Sequence, residues 1–142
     1  MKFILLAAVC IGGVSCIILE SEFNEKLQKI SKEAHRICVK ETGITQEAID
    51  HVKKGNFYDD LKTKKYNNCL WRNTQVMGEN FKLDEKLLME LVPEKARDLL
   101  FKGISECFEE ARAAPADLDF IEKTYSLSKC IHDKSPENWF YF

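Results

Sequence analysis

Apolar residues recur every three or four positions through most of the chain, which is the spacing of one face of an α-helix. The first such segment lies between Glu22 and Lys40, where the other face is mostly charged or amide side chains. Its apolar face is formed by Phe23, Leu27, Ile30, Ala34 and Ile37. Because Gly43 follows as a stop signal, the pattern predicts a first helix that ends shortly before it.

Residues that favour helix starts and stops divide the next stretch into two more helices. Thr45 can cap a short second helix that ends at Gly55. Asp59 or Asp60 can start a third helix, and the apolar spacing continues from there to Met77. Threonine and aspartate suit these positions because their oxygens accept hydrogen bonds from the free N–H groups of a first helical turn.

The second half of the chain contains start signals for three further helices. Asp84 can cap a short fourth helix, and Pro93 stands where a fifth can begin and run to about Ala114. Asp117 can then cap a sixth helix that passes through Ser128. No sustained alternation of apolar and polar residues indicates a strand. The sequence therefore predicts an all-α fold, a compact domain of about six helices.

The first sixteen residues differ from the rest of the chain. Lys2 is followed by a continuous apolar run and then by small residues, which is the arrangement of a secretory signal peptide. The alternatives are an uncleaved anchor and a lipid-modified Cys16, but the run is marginal beside the about 20 apolar residues of a membrane span. We predict cleavage after Cys16, with Ser15 a close second. This gives a signal peptide at 1–16 and a secreted, extracellular helical domain at 17–142, without a membrane span.

Removal of that leader changes what the cysteines indicate. The domain that remains has four of them: Cys38, Cys69, Cys107 and Cys130. An even number of cysteines in a small secreted chain indicates disulfides, and four cysteines allow three connectivities. A structural zinc site would need short spacings between its ligands, which are missing here. We expect two disulfides, no metal and no cofactor.

Charge and histidine content narrow the classes of function. The formal net charge of the chain is −2, and loss of Lys2 with the leader makes it −3. The lysines are scattered, whereas a nucleic-acid partner favours a clustered basic face. His35 lies one helical turn from Cys38, but a cysteine in a disulfide offers no thiolate for catalysis. No set of nucleophile, base and oxyanion donor can be named, so we predict that the chain is not an enzyme.

The chain resembles the insect odorant-binding protein family in its leader, its size, its number of helices and its cysteine intervals. Most members have six cysteines, with three residues between the second and third and eight residues between the fifth and sixth. The two additional cysteines form one bridge in the family, and Lys65 and Ile121 occupy their positions here. The chain is therefore similar to the four-cysteine "minus-C" subgroup. The resemblance implies two disulfides, Cys38–Cys69 and Cys107–Cys130.

Aromatic residues point to an apolar ligand. The chain has nine Phe, four Tyr and two Trp, and its end reads NWFYF, a cluster that indicates a covered pocket or an interaction surface. Short helices that meet at varied angles leave an internal cavity, and an apolar cavity accepts an apolar ligand. The resemblance implies a carrier of small hydrophobic molecules (odorants, pheromones or other volatiles), with a chemoreceptor as a further partner, as a monomer or weak homodimer. The alternative is a secreted structural or interaction protein whose aromatic tail docks on a partner.

We predict ligand-binding residues from the inward faces of different helices and from the tail. They are Ile30, Val52, Leu70, Val76, Leu87, Leu91, Ile104, Phe108, Tyr125 and Trp139. Ordinary core packing is the alternative for each of them. Tyr125 is the candidate to hydrogen-bond a ligand hydroxyl or carbonyl, since a buried phenol needs a partner. His132, beside the tail, is the candidate for the release of ligand on acidification that the resemblance implies.

Overall fold

The computed structural model describes residues 20–141, and within that range the chain is built from α-helices and short 3₁₀ turns. The α-helices are α1 (Glu25–Thr42), α2 (Gln46–Lys53), α3 (Leu61–Asn73), α4 (Glu85–Leu91), α5 (Arg97–Ala113) and α6 (Phe120–Lys134). The 3₁₀ turns lie at Glu20–Glu22, Glu79–Phe81, Glu94–Ala96 and Pro136–Asn138. The predicted all-α domain of about six helices is confirmed. The predicted signal peptide lies outside the described residues.

Side-chain caps explain where most of the helices begin. Thr45, Asp60 and Asp84 each accept a hydrogen bond from a backbone N–H of the first turn, as the sequence predicts. Asn24 caps the first helix in the same way, so that helix begins slightly later than predicted. Pro93 precedes a 3₁₀ turn rather than the fifth helix itself.

The third helix is shorter than the apolar spacing predicts. It ends at Asn73 rather than Met77, because Gln75 adopts a left-handed backbone with φ of 64°. The chain then turns back on itself, and the N–H of Asp84 donates to the carbonyl of Val76 at 2.8 Å. Val76 and Met77 are buried in this turn, so their apolar spacing reflects burial and not helix.

The sixth helix begins later and ends later than predicted. Asp119 caps it instead of Asp117, and its carboxylate accepts from the N–H of Ile121 at 2.8 Å. The helix then runs from Phe120 to Lys134. Two aspartates of equal capping ability stand two residues apart, and the sequence pattern alone does not decide between them.

The helices pack as a bundle with α3 and α6 at its centre. The α3 helix packs against α1 and α6, and α6 also packs against α5. Two buried apolar clusters result, one chiefly between α1, α4, α5 and α6 and one chiefly between α1, α2 and α3. No helix among residues 20–141 combines the length and apolarity that a membrane crossing needs.

Each cluster contains one disulfide. Cys38–Cys69 joins α1 to α3 with the two Cα atoms 5.6 Å apart, and Cys107–Cys130 joins α5 to α6 with a Cα separation of 5.7 Å. These are the pairs that the resemblance implies. Bridges that close loops of this length stabilise a fold by roughly 3–4 kcal/mol each in the chain-entropy model.

Polar groups contribute to the contact between α3 and α6. The ammonium of Lys64 lies 2.8 Å from the carboxylate of Glu122 and also pairs with Asp59. The amide nitrogen of Asn67 donates to the carbonyl of Thr124 at 3.0 Å. These pairs lie beside Lys65 and Ile121, the positions of the third bridge in most members of the family that the chain resembles. They join the two helices without a covalent bond.

Candidate ligand-binding cavity

An apolar cavity of about 80 Å³ lies inside the bundle. Five helices (α1, α3, α4, α5 and α6) and the chain's end contribute to its wall. Its apolar wall consists of Leu27, Leu70, Trp71, Val76, Leu88, Leu91, Val92, Leu100, Ile104, Ile131, Trp139, Phe140 and Tyr141. Its polar wall residues are Asn67, Thr74, Ser128, Ser135 and Asn138. Such a void exceeds the about 10–15 Å³ that one water needs, yet an apolar lining favours a dry cavity.

The aromatic end of the chain closes this cavity. The indole N–H of Trp139 donates to the carbonyl of Val52 in α2 at 2.9 Å, and the hydroxyl of Tyr141 donates to the amide oxygen of Asn67 in α3 at 3.1 Å. The ring of Phe140 lies 4.9 Å from the ring of Phe23, between centroids. The NWFYF cluster was expected to cover a pocket or to form an interaction surface. Among the described residues, it covers a pocket. Phe142 lies outside them.

A buried hydrogen-bonded cluster forms the polar part of the wall. Asn67 and Ser128 are 1% and 0% exposed. The hydroxyl of Ser128 donates to the amide oxygen of Asn67 at 2.8 Å and accepts from the indole N–H of Trp71 at 2.7 Å. Burial raises the pKa of the Tyr141 phenol, so its hydroxyl stays a neutral donor to Asn67 at ordinary pH.

The structure brings half of the predicted ligand-binding residues to the cavity. Those that line it are Leu70, Val76, Leu91, Ile104 and Trp139. Whether they contact a ligand stays a prediction.

The other five predicted residues lie elsewhere. Val52 is buried in the cluster under the tail, and Phe108 is buried with its ring centroid 5.5 Å from that of Trp71. Ile30 and Leu87 are partly buried at the edge of the core. Each faces inward on its helix as the periodicity predicts, but an inward face contacts the core as well as the cavity.

Tyr125 occupies a different place from the one its predicted role needs. Its hydroxyl donates to the carbonyl of Tyr58 at 2.8 Å, and the ammonium of Lys64 lies 5.4 Å from its ring. Burial raises the pKa of this phenol. Tyr125 therefore satisfies its hydroxyl by holding the segment between α2 and α3 against α6, away from the cavity wall.

Several wall residues were missed by the sequence reasoning. Leu88 and Leu100 belong to the same apolar faces as predicted residues, so periodicity could have included them. Phe140 and Tyr141 belong to the NWFYF stretch, which carried the correct signal. Asn67 gave no signal, because a lone asparagine between apolar positions usually reads as a solvated residue.

In the part of the chain that the structure describes, the histidines and cysteines give no catalytic arrangement. The ring of His35 lies 2.8 Å, nitrogen to oxygen, from the hydroxyl of Tyr66, and the neighbouring Cys38 is in a disulfide. Burial raises the pKa of Tyr66. Among residues 20–141 no group of histidine, cysteine, aspartate and glutamate is arranged to hold a metal ion.

His132 lies against the tail. Its ring centroid is 5.5 Å from that of Phe57 and 5.6 Å from that of Trp139, and its side chain is 20% exposed. Its Nδ1 lies 3.1 Å from a carboxylate oxygen of Asp133, and Lys129 borders the same surface depression. A charge on this imidazole would therefore appear beside two apolar rings and one carboxylate.

Comparisons with known proteins agree on one family. A model of the PBP/GOBP family matches residues 20–134. The chain is similar to General odorant-binding protein 19d of Drosophila melanogaster, with 21% identity over 137 residues that cover 95% of this chain and 89% of the relative. It is also similar to General odorant-binding protein 72 of Anopheles gambiae, with 24% identity over 116 residues, 80% of this chain and 93% of the relative.

Solved structures give the same result. Odorant binding protein 4 of the natural predator Chrysopa pallens superposes with a TM-score of 0.68 at 27% identity, over 89% of this chain and all of that one. Apis mellifera odorant binding protein 5 shares the fold, with a TM-score of 0.64 at 21% identity over 83% of this chain and 96% of that one.

Proposed function

The chain belongs to the PBP/GOBP family, and from this premise we propose that it is a secreted carrier of small hydrophobic ligands such as odorants, pheromones or other volatiles. The observation that carries the proposal is the enclosed apolar cavity whose outer wall is the chain's own aromatic end. A ligand that enters it leaves water, and burial of apolar surface contributes about 25 cal/mol per Å² to its binding.

The size of the cavity indicates how a ligand is accommodated. At about 80 Å³ it is smaller than an engineered protein cavity of about 150 Å³ that accepts benzene. A volatile with ten carbons must therefore displace wall side chains as it binds. The tail is the part of the wall with the fewest covalent constraints, and Phe140 is partly exposed. We expect the tail to shift outward around a bound ligand.

The remaining parts of the proposal rest on the family. Carriers of this kind bind ligands without converting them, and we propose the same for this chain. We propose that the leader directs secretion and is removed, that the carrier is a monomer or weak homodimer, and that a chemoreceptor receives its ligand. The intramolecular contacts of Trp139 and Tyr141 favour the carrier over a protein that docks through its tail.

Displacement of a fluorescent apolar probe, N-phenyl-1-naphthylamine, tests the proposal. The purified secreted chain should bind the probe with micromolar affinity, and volatiles should displace it while the protein stays monomeric in light scattering. Absence of probe binding by correctly disulfide-bonded protein would refute the carrier function.

Two adjacent leucines provide a matched pair of variants. Leu100 is 5% exposed and lines the cavity, whereas Leu99 is 54% exposed on the same helix. Leu100→Phe places extra volume in the cavity and should weaken probe binding at least tenfold. Leu99→Phe makes the same chemical change on the surface and should leave the affinity unchanged. Equal effects of the two variants would show that the probe binds elsewhere.

A further inference from the structure

We propose that the cavity selects hydrocarbon ligands over ketones, aldehydes and esters of the same carbon skeleton. The reason is that Ser128 accepts the hydrogen bond that the indole N–H of Trp71 could otherwise donate to a ligand. The inference rests on the proposed carrier function and goes further by naming the class of ligand. It also names Ser128 as the residue that determines this specificity.

Hydrogen bonds within the wall carry the argument. Ser128 accepts from the Nε1–H of Trp71 at 2.7 Å and donates to the Oδ1 of Asn67 at 2.8 Å. Tyr141 donates its hydroxyl hydrogen to the same oxygen at 3.1 Å. The amide nitrogen of Asn67 donates to the carbonyl of Thr124 at 3.0 Å. The hydroxyl and indole hydrogens of this cluster are thus all donated to protein acceptors.

The other polar wall residues are engaged in the same way. Thr74 donates its hydroxyl to the carbonyl of Trp71 at 2.8 Å. Ser135 donates to a carboxylate oxygen of Glu137 at 3.2 Å, and the amide of Asn138 donates to the hydroxyl of Ser135 at 3.0 Å. The hydroxyl and indole donors of the polar wall are therefore taken, and most of the remaining wall is apolar.

A ligand that only accepts hydrogen bonds is at a disadvantage in such a cavity. Its carbonyl loses its bonds to water on entry and meets no free hydroxyl or indole donor, which costs about five- to hundredfold in affinity. A hydrocarbon has no such loss. An alcohol is an intermediate case because it can donate to a hydroxyl lone pair, so a ketone is the more decisive probe.

Limonene and carvone are suitable probes because they share a carbon skeleton and differ by one ketone. We expect the wild-type chain to prefer limonene by more than the ratio of the two octanol–water partition coefficients. Ser128→Ala removes the acceptor of the Trp71 indole and leaves that N–H directed at the cavity. In this variant the affinity for carvone relative to limonene should rise by about five- to tenfold.

Two further variants test whether the indole N–H of Trp71 is the group that donates to carvone. Tyr141→Phe also removes a wall hydroxyl, but it frees no donor, so the ratio of the two affinities should stay at the wild-type value. Trp71→Phe combined with Ser128→Ala removes the freed N–H and should abolish the gain for carvone. Circular dichroism spectra establish whether each variant is folded.

A measurement on the wild-type protein avoids dependence on the variants. The indole N–H resonance of Trp71 should have the same chemical shift with carvone as with limonene. A downfield shift with carvone alone would mean that the ketone bonds the indole, and this would overturn the inference.

The outcomes separate the two proposals. If neither terpene binds the wild-type chain, the carrier function fails and the inference fails with it. If both bind in proportion to their partition coefficients, or if Ser128→Ala leaves the ratio unchanged, the carrier function stands and the selectivity is refuted.

Discussion

Replacement of Asn67 by leucine should destabilise the fold by about 1–3 kcal/mol, because Asn67 connects α3 to both α6 and the tail. Its amide donates to the carbonyl of Thr124, and its oxygen accepts from Ser128 and from Tyr141. Leucine has a similar volume but offers these groups no hydrogen bond. An orphaned buried polar group costs about 1–3 kcal/mol.

Only the Tyr141 hydroxyl is left without a partner, at a cost of about 1–3 kcal/mol. The carbonyl of Thr124 lies inside α6 and keeps its helix hydrogen bond, and Ser128 can turn its hydroxyl to that same carbonyl one turn away. Urea unfolding followed by circular dichroism measures the loss, and the slope should stay constant while the midpoint falls. Asn68 is a control on the same helix, since it is only partly buried; Asn68→Leu should cost less than 1 kcal/mol, the worth of a typical hydrogen bond.

A double variant tests the reasoning further. Tyr141→Phe removes the hydroxyl that Asn67→Leu leaves without a partner, so the double variant should be more stable than Asn67→Leu alone. Additive losses would show that the two residues are not coupled. A loss below 1 kcal/mol for Asn67→Leu would refute the assignment of Asn67 as the connection between α3, α6 and the tail.

Three other predictions concern pH and the covalent frame. Burial raises the pKa of both Tyr66 and Tyr141 above that of unfolded tyrosine, which is about 10. The stability that depends on these two phenols should therefore be constant below that pH and fall above it. Tyr66→Phe should reduce the fall in urea midpoints measured from pH 8 to 11, and an equal fall would contradict it. Lys65→Cys combined with Ile121→Cys should form a third disulfide, detected as a loss of two free thiols; thiols that stay free under oxidation would show that the correspondence with the six-cysteine pattern is shifted. Probe affinity should be lower at pH 5 than at pH 7.4 and His132→Asn should remove the difference, whereas equal wild-type affinity at both values would exclude the switch.

The sequence predicted features that depend on neighbouring residues in the chain. The caps Thr45 and Asp84 were identified, and Asp60 was one of two candidates, because capping needs one side chain and the turn that follows it. The inward faces of the helices were identified because periodicity follows from the 3.6-residue turn. The end of α3 was not, because Gln75 takes a left-handed conformation in response to the packing of the turn after it.

The cavity was predicted only in part, since its lining depends on how helices meet. Phe108 and Leu100 both lie on the inner face of α5, but Phe108 packs on the Trp71 ring while Leu100 reaches the void. Tyr125 satisfies its hydroxyl with a loop carbonyl that no local pattern marks. The role of Asn67 depends on the packing of α6 and the tail against α3, which no local sequence pattern indicates.

The placement of the disulfides has a mechanical consequence. One bridge fixes α1 to α3 and the other fixes α5 to α6, which gives two covalently braced halves. The seam between them contains ion pairs, amide hydrogen bonds and apolar side chains of the cluster that α1 and α5 share. Because neither bridge crosses this seam, we expect the halves to separate slightly as a ligand enters, while each half stays folded. Since ions screen the Lys64–Glu122 pair, the ease of this opening should increase with salt.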